Sequence, residues 1–244
     1  MRIGNKLKIR LSGFLCLSFF LLFAFKSLAS VDSQAQPPFV EDRWEQIFSK
    51  DGIDVYSQKV PDSNILAFKA TGTLNAPIEQ IMEVLRRVEI AKEWMPDIEV
   101  KYMVKEFSDL DGITYSVNKL PWPFSGRELL LRNELRLDRQ KKYLIVDIFS
   151  VEDASFPVGK DNVRAFMHMG QTCMRPVGKD RTKILFVFYL DPKGYIPSWL
   201  VNMKQKELPY NFLRSLEKKA ATTHFQLRPA FQSYLDQFNA ILEN

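Results

Sequence analysis

A chain of 244 residues, 46% hydrophobic and 26% charged, has apolar material enough for a packed core and none of the bias that marks disordered or fibrous proteins. Its formal charge of +5 resides at the N-terminus, where Arg2, Lys6, Lys8, Arg10 and Lys26 stand among residues 1–29 without an acid. Subtracting those five from the 34 basic residues leaves 29 against 29 acids, so charge gives the rest of the chain no reason to bind nucleic acid.

In chain order, the basic residues up to Arg10 precede a mostly apolar run over 11–25 and then Ser27-Leu28-Ala29. This is the pattern of a secretory signal peptide spanning 1–29. A span of about 20 apolar residues would cross a bilayer, and this run is shorter and broken by Ser12, Gly13 and Ser18, which favours cleavage over a retained anchor. The protein is therefore expected to be exported, most plausibly to a bacterial periplasm. Cys173 is the one cysteine left after cleavage, so no internal disulfide can form. Residues 30–40, with Ser, Gln and two prolines, read as a linker, and a single domain over 41–244 is expected to follow.

Within that domain, residues 42–48 carry Trp44 and Phe48 at helical spacing and read as a short helix, followed by an Asp51-Gly52 turn. Strands are predicted over 53–59 and 64–74, then a helix capped by Asn75-Ala76-Pro77 with Ile78, Ile81, Met82 and Leu85 on one face. Six more strands are predicted over 100–107, 114–120, 127–137, 143–151, 163–174 and 182–190. Pro197 and Pro209 each open a helix. The second buries Phe212, Leu213 and Leu216, and a last one over 229–242 repeats Phe231, Leu235, Phe238 and Leu242 and is expected to pack on the domain. Strands in succession imply an antiparallel sheet, and helices at both ends of the domain place the fold in the α+β class.

The residues also offer little for catalysis. The histidines are His168 and His224, and there is no Gly-x-Ser-x-Gly elbow, glycine-rich phosphate loop or paired cysteines for zinc. No catalytic residue, metal or cofactor is expected. Cys173 with His168 is the best nucleophile–base candidate the chain supplies.

One passage, residues 186–202, reads Phe-Val-Phe-Tyr-Leu-Asp-Pro-Lys-Gly-Tyr-Ile-Pro-Ser-Trp-Leu-Val-Asn. It resembles the sheet-to-helix junction of StAR-related lipid-transfer (START) domains. Further stretches are similar to that family in the same order: Asp51 to Ser57, Lys92-Glu93-Trp94, Pro121-Trp122-Pro123-Phe124-Ser125-Gly126-Arg127-Glu128, Val163-Arg164-Ala165 and Gly170 to Met174. The motifs lie nearest the phosphatidylcholine-transfer branch.

The resemblance implies a helix-grip fold, a curved antiparallel sheet with a long C-terminal helix over an internal apolar cavity. It also implies non-catalytic binding and transfer of one lipid or other hydrophobic molecule by a monomer that touches membranes transiently. It places Leu129, Leu131, Asn133, Ser116, Asn118, Phe212 and Leu216 around the lipid, with Arg164 as the principal charge, holding a polar end of the lipid or a buried carboxylate. Phe156, Pro157 and Val158 at one loop tip, and Trp199 and Met203 across from them, fall where the lids would be. Arg127 and Glu128, adjacent on a strand, face opposite sides and are expected to support the fold. Trp94 is expected in the core. Where the phosphatidylcholine-transfer branch carries an arginine and an aspartate this chain has Ala91 and Met95, and Thr114 and Asn133 stand where the steroidogenic branch has a charged pair. Neither branch's ligand carries over. The alternative is a cavity-based enzyme of the wider helix-grip superfamily, cyclase- or hydrolase-like.

Overall fold

The computed structural model describes residues 43–243, so the predicted leader and linker lie outside the described residues. The described strands form one sheet in the order β1-β2-β3-β10-β9-β7-β6-β5-β4. They are β1 (Glu45–Lys50), β2 (Ile53–Gln58), β3 (Ala67–Leu74), β4 (Ile98–Ser108), β5 (Asp111–Asn118), β6 (Gly126–Asp138), β7 (Tyr143–Ser150), β8 (Asn162–Arg164), β9 (Phe166–Pro176) and β10 (Thr182–Asp191). Every pairing on this path is antiparallel, and β8 runs parallel to β6 off the path. The helices are α1 (Ile78–Arg86), α2 (Ala91–Trp94), α3 (Ser198–Gln205), α4 (Leu208–Thr222) and α5 (Pro229–Leu242). The α+β helix-grip architecture expected from the sequence is thus the one observed.

Two expectations are corrected. Residues 45–50 form a strand, although Trp44 and Phe48 suggested a helix over 42–48. Asp51 and Gly52 both have positive φ, 49° and 75°, the geometry of a tight hairpin turn, and they fold this segment back onto β2. Pairing with a neighbour that is already in the sheet outweighs a local i, i+4 pattern. The second correction concerns residues 163–174, which do not form one strand. The chain breaks at Ala165, so that β8 pairs with β6 and β9 pairs with β7 and β10.

α4 lies across β2, β3 and β10 and touches α1, α2 and α3. Leu213, Leu216 and Ala220 on its inner face meet Phe68, Ile184 and Phe188, all at most 1% exposed. α5 packs as expected, with Phe231, Leu235 and Phe238 buried in the same core. Full burial of such side chains stabilises by about 1.5–3 kcal/mol each. The helix is also fastened to α1 by charge. The Glu83 carboxylate, wholly buried, accepts from the Arg228 backbone N–H at 2.8 Å and from the Arg87 and Arg228 guanidiniums at 3.2 Å. Gln80 and Phe225 exchange two hydrogen bonds beside it. Among the described residues no helix is long and apolar enough to cross a membrane.

Candidate functional site

Strand alternation divides the sheet into two faces. Leu129, Leu131 and Leu135 of β6 face the core beneath the helices, and register carries Ser116, Thr114, Ile148 and Val146 of the neighbouring strands to the same side. Packing on this inner face is uneven. Over β3, β9 and β10 most side chains are sealed, with Leu74, Met174 and Ile184 at 0% exposure, Leu144 of β7 beside them also at 0%, and Phe186 and Met167 keeping 6% and 9%. Over the rest of β4 to β7 they are not: Leu131 keeps 9% and Leu129 and Leu135 7%, while Asn118, Asn133, Val146 and Ile148 are only partly covered. The less completely covered half of the interior therefore lies to the side of the strands that α4 crosses, along the edge of that helix.

That half carries a polar seam. Asn133 donates through Nδ2 to Thr114 Oγ1 at 3.0 Å and to the Leu131 carbonyl at 3.2 Å, so the two residues that replace a charged pair bond to each other. Ser116 is buried beside them, and the Asn118 Oδ1 is buried without a hydrogen-bond partner in the protein. Phe212 of α4 borders the space, with its ring centre 5.5 Å from that of Trp94 and 4.5 Å from that of Phe186, whereas Leu216, expected beside it, is 0% exposed and sealed in the core. Trp94 belongs to the core, yet its indole N–H has no partner.

Arg164 is not in this space. Its Nε donates to Glu128 Oε1 at 2.8 Å, and its NH2 lies 2.7 Å from the same oxygen and 3.1 Å from the Phe156 carbonyl. The parallel register sets Arg164 beside Glu128, and alternation turns Glu128 to the face opposite Leu129. Of the two roles implied for Arg164, the buried carboxylate is the one seen. Glu128 is wholly buried and also accepts from the Tyr115 hydroxyl at 2.9 Å and the Gly159 N–H at 3.1 Å. The Tyr115 phenol is pushed up to about 12, by burial first and the Glu128 carboxylate next, so it stays a donor. Arg127, on the other face as expected, donates to the carbonyls of Pro192, Ser125 and Lys193.

The 151–162 loop is seated on the outer face by the same cluster. Phe156 packs on Tyr115 and Tyr102, with ring centres 5.1 and 6.4 Å apart, while Pro157 and Val158 face solvent. Trp199 and Met203 occupy a different place, one turn apart on the exposed side of α3. Beside α3 an apolar recess of about 90 Å³ opens against the tip of the β5–β6 hairpin, lined by Leu120, Pro121, Phe124, Ile196, Leu200 and Val201. Trp122, 93% exposed, Tyr195 and Trp199 stand free around it.

Lys101 went unnoticed in the sequence and brings a charge to the inner face of β4. Register pairs it with Ser116, and its ammonium donates to Met95 Sδ at 3.4 Å. Its strand reads Val100, Tyr102, Val104 on alternate positions, so a period of two assigns lysine to solvent. Bulges between Ile98 and Val100 and between Met103 and Lys105 reverse that assignment.

The nucleophile–base candidate lacks an activated thiol. Cys173 is pushed up to about 12, chiefly by burial, and is no thiolate at neutral pH, while His168 stacks on Tyr189. Among the described residues no three His, Cys, Asp or Glu side chains gather as metal ligands.

An antiparallel sheet gripping a C-terminal helix, with a loosely filled and polar-seamed space on one side, defines a helix-grip protein. The chain belongs to the START domain family, whose model matches residues 32–223. It is 25% identical over 193 residues to the phosphatidylcholine transfer protein of Mus musculus, covering 78% of this chain and 89% of that one. It is 24% identical over 192 residues to an uncharacterized protein of Pseudomonas aeruginosa, covering 79% and 93%. Among solved structures, a STAR-related lipid transfer protein fragment from Xanthomonas axonopodis superposes with a TM-score of 0.65 at 28% identity, over 72% of this chain and 98% of that one. Human STARD10 superposes at 0.68 with 22% identity, over 84% and 82%. The matched family region ends before α5.

Proposed function

We propose that this protein binds one lipid or other hydrophobic molecule between the β4–β7 half of its sheet and α4, and carries it between membranes without chemical change. The observation that carries this reading is the uneven core: a sealed half that holds the fold, and a half where apolar strands, a polar seam and α4 leave side chains partly accessible. The names of its START relatives, phosphatidylcholine transfer among them, point the same way. Leu129, Leu131, Asn133, Ser116, Asn118 and Phe212 line the space in this reading, and Arg164 supports the wall from behind.

The recess beside α3 is the mouth. About 90 Å³ is the space of roughly three waters, far below that of a lipid, so uptake requires α3 and the Pro121–Phe124 hairpin to part. Trp122, Tyr195, Trp199 and Met203 around it form an apolar rim that fits a bilayer surface. The 151–162 loop, anchored through Glu128, moves less. The N-terminal leader supports export, most plausibly to a periplasm, where a monomer would shuttle between membranes.

Native mass spectrometry of protein purified from its own host tests the reading directly, the expected result being one bound lipid per chain. Replacing Leu131 or Phe212 by Trp should fill the space and lower uptake of fluorescent lipids with the fold intact. A wild-type protein that holds no lipid and shows no saturable uptake of any lipid class would overturn it.

A further inference from the structure

Two donors in the loosely filled half of the interior lack an oxygen acceptor. Lys101 lies on the inner face of β4, opposite Ser116, and points toward α2, where its ammonium finds Met95 Sδ at 3.4 Å. A thioether is a weak acceptor, and no carboxylate among the described residues forms an ion pair with this lysine. The buried carboxylates are matched, Glu83 by Arg87 and Arg228, Glu128 by Arg164 and Glu217 by Arg214, and the buried Arg127 guanidinium is satisfied by three backbone carbonyls. The next residue along from Met95, Trp94, presents a buried indole N–H that is likewise without an acceptor. A partly buried ammonium whose nearest acceptor is a thioether is left for a ligand's anion to complete.

We infer that the cargo is an anionic amphiphile and that Lys101 is the counter-ion of its carboxylate or phosphate, with the Trp94 N–H as a second donor. The inference rests on the carrier reading and adds a chemical class to it. Burial alone lowers the ammonium to about 8, with no charged group contributing, so it is still largely protonated at neutral pH, and an oxyanion beside it would hold the proton more firmly. Ser116 and Thr114 supply hydroxyls on the same face for oxygens next to the head, while Leu129 and Leu131 meet the chain. The acidic head therefore sits under the end of α2, with the hydrocarbon running along β5 and β6 past Leu129 and Leu131, away from the hairpin tip.

The test uses the full-length protein, a displaceable fluorescent fatty acyl probe and ligand pairs that differ only in the acid: oleate against oleyl alcohol, and dioleoyl phosphatidate against dioleoylglycerol. Wild type should prefer the acid of at least one pair by about tenfold or more, and the pair that shows it identifies carboxylate or phosphate as the head. Lys101→Met should erase that preference while its affinity for the neutral member changes by less than about twofold, and that neutral binding verifies the fold. Lys101→Arg should retain the preference. Inorganic phosphate should displace nothing, and displacement by it would mean an anion site independent of the hydrocarbon and would overturn the inference. Neutral lipids bound as well as acids by wild type, or an acid preference that survives in Lys101→Met, would overturn it and leave the carrier reading standing. No uptake of any lipid by wild type defeats the carrier reading itself.

Discussion

Arg164 and Glu128 stand side by side across the parallel β6–β8 register, and together they form a buried ion pair on the face of the sheet that α4 does not cover. The carboxylate is fully enclosed and accepts two further hydrogen bonds, from Tyr115 and Gly159, while the Arg164 guanidinium also holds the Phe156 carbonyl. Removing one partner strands the other. Arg164→Leu is therefore expected to destabilise the domain by about 3–5 kcal/mol and to loosen the 151–162 loop, because it leaves an uncompensated buried charge. Urea denaturation with limited proteolysis of that loop checks it. A lipid-class preference that changes in this variant, with stability unaltered, would return Arg164 to the cavity.

Lys101 carries a pH signature of its own. Its proton is held with a pKa of about 8 in the folded chain and at the ordinary 10.5 when unfolded. Between those values the unfolded chain binds a proton that the folded one does not, so stability rises with pH across that window, and at neutral pH the buried ammonium destabilises the ligand-free fold. The groups facing it are Ser116 on β5 and Trp94 and Met95 at the end of α2, none of which titrates there, while the charged pair on the α2 and α4 sides, Glu93 with Lys219, is internally matched. Lys101→Met should raise stability at pH 7 by up to about 3 kcal/mol and flatten its rise between pH 8 and 10. Denaturation midpoints at pH 7 and 9.5 check this. An unchanged slope would mean that the ammonium reaches solvent.

α5 lies beyond the family match but within the core. Phe238 is completely buried among residues that also line the interior, and Arg228 ties the helix start to Glu83 and Asp109. Phe238→Ala should cost about 3–5 kcal/mol. Removing residues 224–244 should expose α1 to hydrogen exchange, since it unpairs Glu83 from Arg228 as well as uncovering apolar surface. A loss below about 1 kcal/mol for Phe238→Ala would show α5 to be an appendage.

How far the sequence reaches depends on which interactions define a feature. The sheet, α1 and the three C-terminal helices were legible because their signals are local: alternation along Thr114 to Asn118, proline at the first turn of α4 and α5, and the 3.6-residue recurrence of Phe231, Leu235 and Phe238. Asp51-Gly52 was recognised as a turn, but a turn alone does not say that the segment before it joins the sheet. The site was harder. Arg164 was matched to the right neighbourhood, yet its face depends on the break at Ala165, and Lys101 faces inward only because of two bulges. Such one-residue slips exchange the two sides of a strand and leave no mark in composition or periodicity.

The mouth should separate kinetics from affinity. Trp122 on the hairpin and Trp199 on α3 stand in solvent on either side of the recess, 93% and 66% exposed, and bury little in the folded chain. Such side chains add little to stability in solution but partition favourably into a bilayer interface, each by about 1–2 kcal/mol. Replacing both by Ser should therefore leave the denaturation midpoint within about 0.5 kcal/mol of wild type. It should also leave equilibrium uptake of detergent-delivered lipid unchanged, because neither residue touches the interior. Transfer between vesicles should nevertheless fall by about tenfold or more, since the encounter that parts α3 from the hairpin occurs on the membrane. Stopped-flow transfer between donor and acceptor vesicles, compared with equilibrium binding of the same lipid, makes the distinction. If both quantities fall together, the tryptophans belong to the binding site. If neither falls, the protein meets membranes through another surface, and the loop bearing Pro157 and Val158 is the next to replace.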